Sequence, residues 1–153
     1  MSTVAAPRPR LGLFEPEHED FRQSFRSFLE AEVVPACEEY GLGLLPYFPL
    51  EYGLLTGKYR RGEEAPAGSR AAAAASPWLE NAPWDRIERV STYAEQRGVS
   101  VLDVAIAGLA AQPTVGSVIA GATRGEQVRT NAFALRWEPA AADLADLDEI
   151  TRA

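Results

Sequence analysis

The sequence predicts an α/β chain: a parallel unit of two buried strands separated by helices, with one further helix in front. Two continuous apolar runs predict the strands, residues 42–50 (LGLLPYFPL) and 115–122 (VGSVIAGA), each bounded by Gly or Pro. Around them, apolar residues recur at helical spacing. Buried strands with helices between them pair in parallel, because the crossover must return each strand in the same direction.

In chain order, residues 1–13 hold two prolines and two arginines without periodicity and read as a disordered lead-in. From Pro16 a helix begins, with Phe21, Phe25, Phe28 and Leu29 on one stripe and acidic residues in the first turn, where the helix dipole favours them. Pro35 ends or kinks this helix, and after Ala36, Cys37 and Tyr40 the glycine at 41 stops it. In the first strand Pro46 must stand at the end or where its missing N–H does no harm. Residues 51–82 are too long for a bare connection, so this glycine-punctuated, Ala-rich loop is expected to be functional or mobile. Trp84, Ile87, Val90 and Ala94 line the next helix, which Gly98 terminates. Ser100 with Asp103 has capping-box spacing ahead of Leu102, Ala105, Ile106 and Leu109, and Pro113 closes that helix. Thr123 with Glu126 repeats the spacing and opens a helix through Leu135, and Leu144, Leu147 and Ile150 mark the last one.

Composition narrows the function. The chain has 153 residues, 46% hydrophobic and 24% charged, one domain's worth of an ordinary globular protein. A net charge of −7 offers no footprint for nucleic acid or an anionic membrane. No run approaches the ~18 apolar residues of a membrane span, and no signal-peptide core opens the chain, so a cytoplasmic location is expected. Cys37 is the only cysteine and His18 the only histidine, which excludes a disulfide framework and a Cys/His zinc cluster. Nineteen residues of helix would hold these two roughly 28 Å apart, too far for a nucleophile and its base.

Chemistry is expected where the strands end. The second strand enters a helix through Gly121, Thr123 and Arg124, and a helix start with exposed N–H groups favours a phosphate. Taken alone, such a junction is more often a plain tight turn. Tyr47 and Phe48 suit a core as well as a ligand, and Lys58 and Arg70 suit a solvated loop.

Two longer motifs carry more. Tyr47-Phe48-Pro49-Leu50-Glu51-Tyr52-Gly53-Leu54-Leu55-Thr56-Gly57-Lys58-Tyr59, followed by Ile119-Ala120-Gly121-Ala122 with Glu126, Gln127 and Asn131, resembles the C-terminal third of the aldo/keto reductases over about residues 30–150. The resemblance implies a partial (β/α)8 TIM barrel, its last two strands and C-terminal helices, with an extra N-terminal helix. It also implies a nicotinamide dinucleotide as partner. Tyr47 would stack by the nicotinamide, and Phe48, Pro49 and Leu50 would follow the ribose and pyrophosphate. Gly53, Leu55 and Gly57 would let the loop approach, and Lys58 and Arg70 would face the phosphates. Gly121, Thr123 and Arg124 would meet the 2′-phosphate, favouring NADP, with Gln127 and Asn131 near the adenine. Glu51 and Tyr52 depart from the small residues usual there, and a carboxylate near a pyrophosphate weakens binding.

The family's catalysis uses an Asp, Tyr, Lys and His tetrad from the first half of the barrel. Lys58 belongs to the cofactor motif and His18 to the first helix, so no tetrad can be assembled and the chain alone is expected to be inactive. The segment LFEPEHEDFRQSFRSFLEAEVVP resembles the first helix of the acyl-CoA dehydrogenases, giving a division into residues 1–13, 14–34 and 35–153. A barrel reduced to two strands leaves edges uncovered. Self-association or a partner chain supplying the missing half is therefore expected, and the alternative function is a non-catalytic interaction or nucleotide-binding module.

Overall fold

A computed structural model describes residues 16–74 and 79–152, in two compact units that divide between Ala36 and Cys37. The expected lead-in, residues 1–13, and the end of the alanine run at 75 lie outside the described residues.

In the first unit, α1 runs Pro16–Phe28 and continues through a π-helical turn at Leu29–Val33 into α2, Val34–Tyr40, which crosses the division. Pro35 does not end the helix. Its ring cannot accommodate a normal i−4 carbonyl, and the π turn ahead of it, where the Val34 N–H donates to the Leu29 carbonyl, absorbs the misfit. Phe21, Phe25 and Phe28 form the expected stripe and stack on one another, with centroids 6.2 and 6.5 Å apart, while remaining exposed.

The second unit is built on helices. α3 (Arg70–Ala74) is short; α4 (Trp84–Gln96), α5 (Val101–Ala110), α6 (Gly125–Ala134) and α7 (Ala141–Arg152) carry the packing. Glycine stops α4 as expected: the Gly98 N–H donates to Glu95 and the Val99 N–H to Ala94, a closure that needs the left-handed φ of +65° at Gly98. The Ser100–Asp103 capping box opens α5, each side chain bonding the other's backbone N–H. Val90, Tyr93, Ala94, Val104 and Leu147 join α4, α5 and α7 in one core. Leu102, Ile106 and Ala134 join α5 and α6 in another, where burying a Leu or Ile contributes about 1.5–3 kcal/mol.

The two apolar runs meet in parallel, as expected, but neither forms a strand among the described residues. Two isolated bridges remain, Leu44 with Val115 and Tyr47 with Ile119. The chemistry of Pro46 accounts for the interruption. The Leu44 N–H donates to Thr114 and the Gly116 N–H to Leu44, but the next donor in the ladder would be the N–H that Pro46 lacks. Pairing resumes one residue out of step, with the Ile119 N–H donating to the Pro46 carbonyl at 3.0 Å. Gly43 and Gly116 permit the close crossing: a Cβ on Gly43 would stand 3.2 Å from the Gly116 Cα.

Nor are the runs buried on both faces. Leu42, Leu45, Tyr47 and Ile119 are exposed, because no further strand flanks the pair among the described residues. The loop after the first run is better packed than its composition suggests. It contains a 3-10 segment, Glu51–Thr56, and its Leu54, Tyr59 and Ala71 bury against Ile87 of α4.

Candidate functional site

Parallel pairing places the C-terminal ends of both runs on the same side. From one end leaves the loop that starts at Phe48, and from the other the turn that starts at Gly121. A single core anchors both departures, since Leu50 and Ala120 pack on Leu102, Ile106 and Ala134. The two motifs are thus fixed to one patch of α5 and α6.

The first loop is tightly coiled. Phe48, Glu51 and Tyr52 take φ of +65°, +43° and +54°, a left-handed conformation that costs side-chain-bearing residues energy. The Tyr52 ring stands edge-on to Phe48 at 4.4 Å between centroids, and the Arg70 guanidinium lies over the Tyr52 ring at 6.0 Å. Lys58 folds the other way: its ammonium lies over the Tyr59 ring at 4.9 Å, close to Gly53. A Cβ at Gly53 would come within 3.0 Å of that ammonium, and its φ of +92° also suits glycine alone. Tyr47 is 80% exposed, Pro49 and Leu55 are half-buried, and Gly57 ends the 3-10 segment in left-handed geometry.

In the second loop the helix starts one residue later than expected. Arg124 is the N-cap of α6, and the partner three residues on is Gln127 rather than Glu126. The Gln127 side-chain oxygen accepts from the Thr123 N–H at 2.8 Å, the Arg124 N–H at 3.1 Å and the Thr123 hydroxyl at 3.1 Å. Gln127 serves this turn where Glu126 was expected to, because the N-cap is Arg124 rather than Thr123 and the position three residues on is then 127. Gly121, Thr123, Arg124 and Gln127 are exposed, and Asn131 is half-buried one turn further along α6.

The structure therefore brings the candidates together in two groups. On the first loop Phe48 and Arg70 meet through Tyr52, while Lys58 lies apart beside Gly53 and Tyr59; Gly121, Thr123, Arg124, Gln127 and Asn131 form the second group. Tyr52 and Tyr59 were missed as partners of Arg70 and Lys58. For Tyr52 the sequence signal is the unusual Glu51–Tyr52 pair; for Tyr59 there is none beyond its place at the end of the motif.

Other charged groups serve the scaffold. Arg97 bonds Asp143 at 2.6 Å and Asp146 at 2.7 Å, and its guanidinium lies 3.7 Å over the Tyr93 ring. The Tyr93 hydroxyl donates to Asp143 at 2.9 Å; burial, reinforced by that carboxylate, pushes its pKa up to about 12. Arg61 pairs with Asp85 and, at 2.9 Å, with Glu88. An open groove of about 480 Å³ lies along α4 beside Ile150, lined by Asp85, Glu88 and Arg89, and it contains no motif residue. Among the described residues no group of His, Cys, Asp and Glu could hold a metal ion, and no helix is long and apolar enough to cross a membrane.

Parallel segments whose C-terminal ends feed two glycine-bearing loops, one entering a helix directly, are the ligand-binding arrangement of β/α proteins. The chain belongs to the aldo/keto reductase family, whose profile matches residues 13–152. It is 38% identical over 133 residues to a probable voltage-gated potassium channel subunit beta of Oryza sativa subsp. japonica, covering 82% of this chain and 40% of that protein. It is 31% identical over 129 residues to an NADH-specific methylglyoxal reductase of Escherichia coli (strain K12), covering 82% and 38%. An L-glyceraldehyde 3-phosphate reductase of Escherichia coli O157:H7 shares 31% over 108 residues, covering 67% and 31%. The chain thus spans about two fifths of the length of the first of these relatives. The matched span takes in α1 as well.

Proposed function

We propose that this chain supplies the dinucleotide-binding part of an aldo/keto reductase-type oxidoreductase and binds NADP(H) with its two loops. The observation that carries the reading is the shared anchorage of both motif loops, through Leu50 and Ala120, on Leu102, Ile106 and Ala134. Phosphates would meet Lys58 and Arg70 on the first loop. The 2′-phosphate would meet Arg124 at the positive end of the α6 dipole. Tyr47, exposed at the end of the first run, would face the nicotinamide, with Phe48, Pro49 and Leu50 along the ribose and pyrophosphate. Gln127 would support the adenosine end by holding the Thr123–Arg124 turn in shape.

Calorimetric titration with NADPH and NADH, in the parent and in Arg124→Ala, tests the assignment. A charged hydrogen bond to the 2′-phosphate contributes about 1.5–3 kcal/mol, so NADPH should bind the parent roughly tenfold or more tighter than NADH, and the variant should lose that preference. Equal affinities in the parent would remove this role from Arg124. The relative named as an NADH-specific reductase makes the comparison informative, since preference within the family is not uniform.

A second reading rests on the exposed Leu42, Leu45, Tyr47 and Ile119 along an unextended parallel pair. That surface suits completion of the sheet by a partner chain carrying the rest of a barrel, or by self-association. The chain's own part would then be nucleotide binding and interaction, without catalysis. Residues 14–34 would form a segment of acyl-CoA dehydrogenase-like character ahead of the reductase part.

A further inference from the structure

We propose, on the dinucleotide-binding reading of the first loop, that Tyr52 is a positioning residue. It holds Phe48 and Arg70 together before ligand arrives and so sets how readily the loop accepts a phosphate-bearing ligand. Tyr52 meets both of these candidate contacts, edge-on to Phe48 at 4.4 Å and beneath the Arg70 guanidinium at 6.0 Å. Both residues keep a substantial part of their surface in solvent, Phe48 at 40% and Tyr52 at 48%, so the contact is not part of a core. The backbone is left-handed at both residues and at Glu51 between them. Bulky residues stay in that conformation only where surrounding contacts impose it.

Lys58 is not involved, because its ammonium is turned toward Gly53 and Tyr59. Arg70 is therefore the cation whose availability Tyr52 controls. A guanidinium over an exposed ring is held weakly, and a charge-assisted bond to phosphate is stronger. Ligand can draw Arg70 away from the ring, but part of its binding energy goes into releasing the cluster. Tyr52 thus lowers affinity without blocking the site.

The test uses the full chain and four proteins: parent, Tyr52→Ser, Tyr52→Phe and Arg70→Met. NADPH affinity is measured at low and high salt, and amide exchange across residues 48–58 is followed without ligand. Tyr52→Ser should bind NADPH about two- to fivefold tighter at low salt, with a steeper salt dependence as Arg70 is freed. Its loop should exchange faster. Tyr52→Phe keeps the ring and should match the parent in both measurements. Arg70→Met should also loosen the loop yet bind more weakly, which separates loss of the clamp from loss of the cation. NADPH binding that is unchanged or weaker in Tyr52→Ser, or loop exchange unchanged in both Tyr52→Ser and Arg70→Met, would overturn the role of Tyr52. Absence of NADPH binding in all four proteins would instead overturn the dinucleotide reading, and the role of Tyr52 with it.

Discussion

Glu51 holds its backbone at φ +43° between a tyrosine in the same left-handed region and the end of the first apolar run. An L-residue there is strained, whereas glycine is not. Glu51→Gly should raise stability by about 0.5–1 kcal/mol, after allowing for the greater freedom of glycine in the unfolded chain. Urea unfolding checks this, and an unchanged or lower midpoint would contradict it. The same substitution removes a carboxylate from the loop assigned to the pyrophosphate, so NADPH should bind more tightly. At this scale the sequence was informative about residue type and less so about partner. The grouping of Lys58 with its glycine loop, and of Arg124 with a helix start, followed from motif and spacing. The pairing of Arg70 with Tyr52 did not, since it depends on a loop path that Phe48, Glu51 and Tyr52 reach only through left-handed backbone. Likewise, a Thr123–Glu126 box and an Arg124–Gln127 closure differ by one residue in register, and hydrogen bonding alone decided between them.

Between α4 and α7 the Tyr93–Asp143–Arg97 cluster should make stability depend on pH at both extremes. An unfolded tyrosine ionises near pH 10, and the folded Tyr93 hydroxyl is pushed up to about 12 by burial and by Asp143. The folded state therefore keeps a proton that the unfolded state has lost, and stability from this group falls as pH rises from about 10 to 12. For Asp143 the sign is reversed. The hydrogen bond from Arg97, then those from the Ala140 N–H and Tyr93, hold its carboxyl below the usual range, so its contribution is present above about pH 4 and fades as pH falls through the folded value. Thermal midpoints against pH should show the alkaline loss in the parent and not in Tyr93→Phe. The parent's advantage over Asp143→Asn should shrink in acid. Superimposable curves for all three proteins would contradict the account. The helices were the legible elements, because their 3.6-residue stripes and caps are local. The strands were legible as a parallel pair but not as broken bridges. Pro46 was recognisable as a donor gap, but its effect on register depends on Val115 to Ile119, far away in sequence.

For the whole molecule, family membership covers residues 13–152, yet the chain corresponds to only 40% of the first relative's length. On the proposed reading the chain contributes no catalytic tetrad, since Lys58 lies in the first loop beside Tyr59 and His18 lies in α1. The isolated chain should therefore reduce no aldehyde or ketone with NADPH above background. Steady-state assays over a panel of aryl aldehydes check this. Turnover that survives repurification and is lost on mutation of one of its tyrosines would contradict it.

Two loops, distant in sequence and anchored on one helical core, are proposed to act as a single dinucleotide surface. On the proposed reading the chain supplies only part of the family's contact area, so affinity on the order of 0.1–1 mM is expected and NADPH must be supplied above that level. Amide exchange with and without NADPH addresses the claim most directly. Slowed exchange in residues 48–58 and 121–127 together, at the same ligand concentration, is the expected result. Protection confined to one loop, or absent from both, would contradict it.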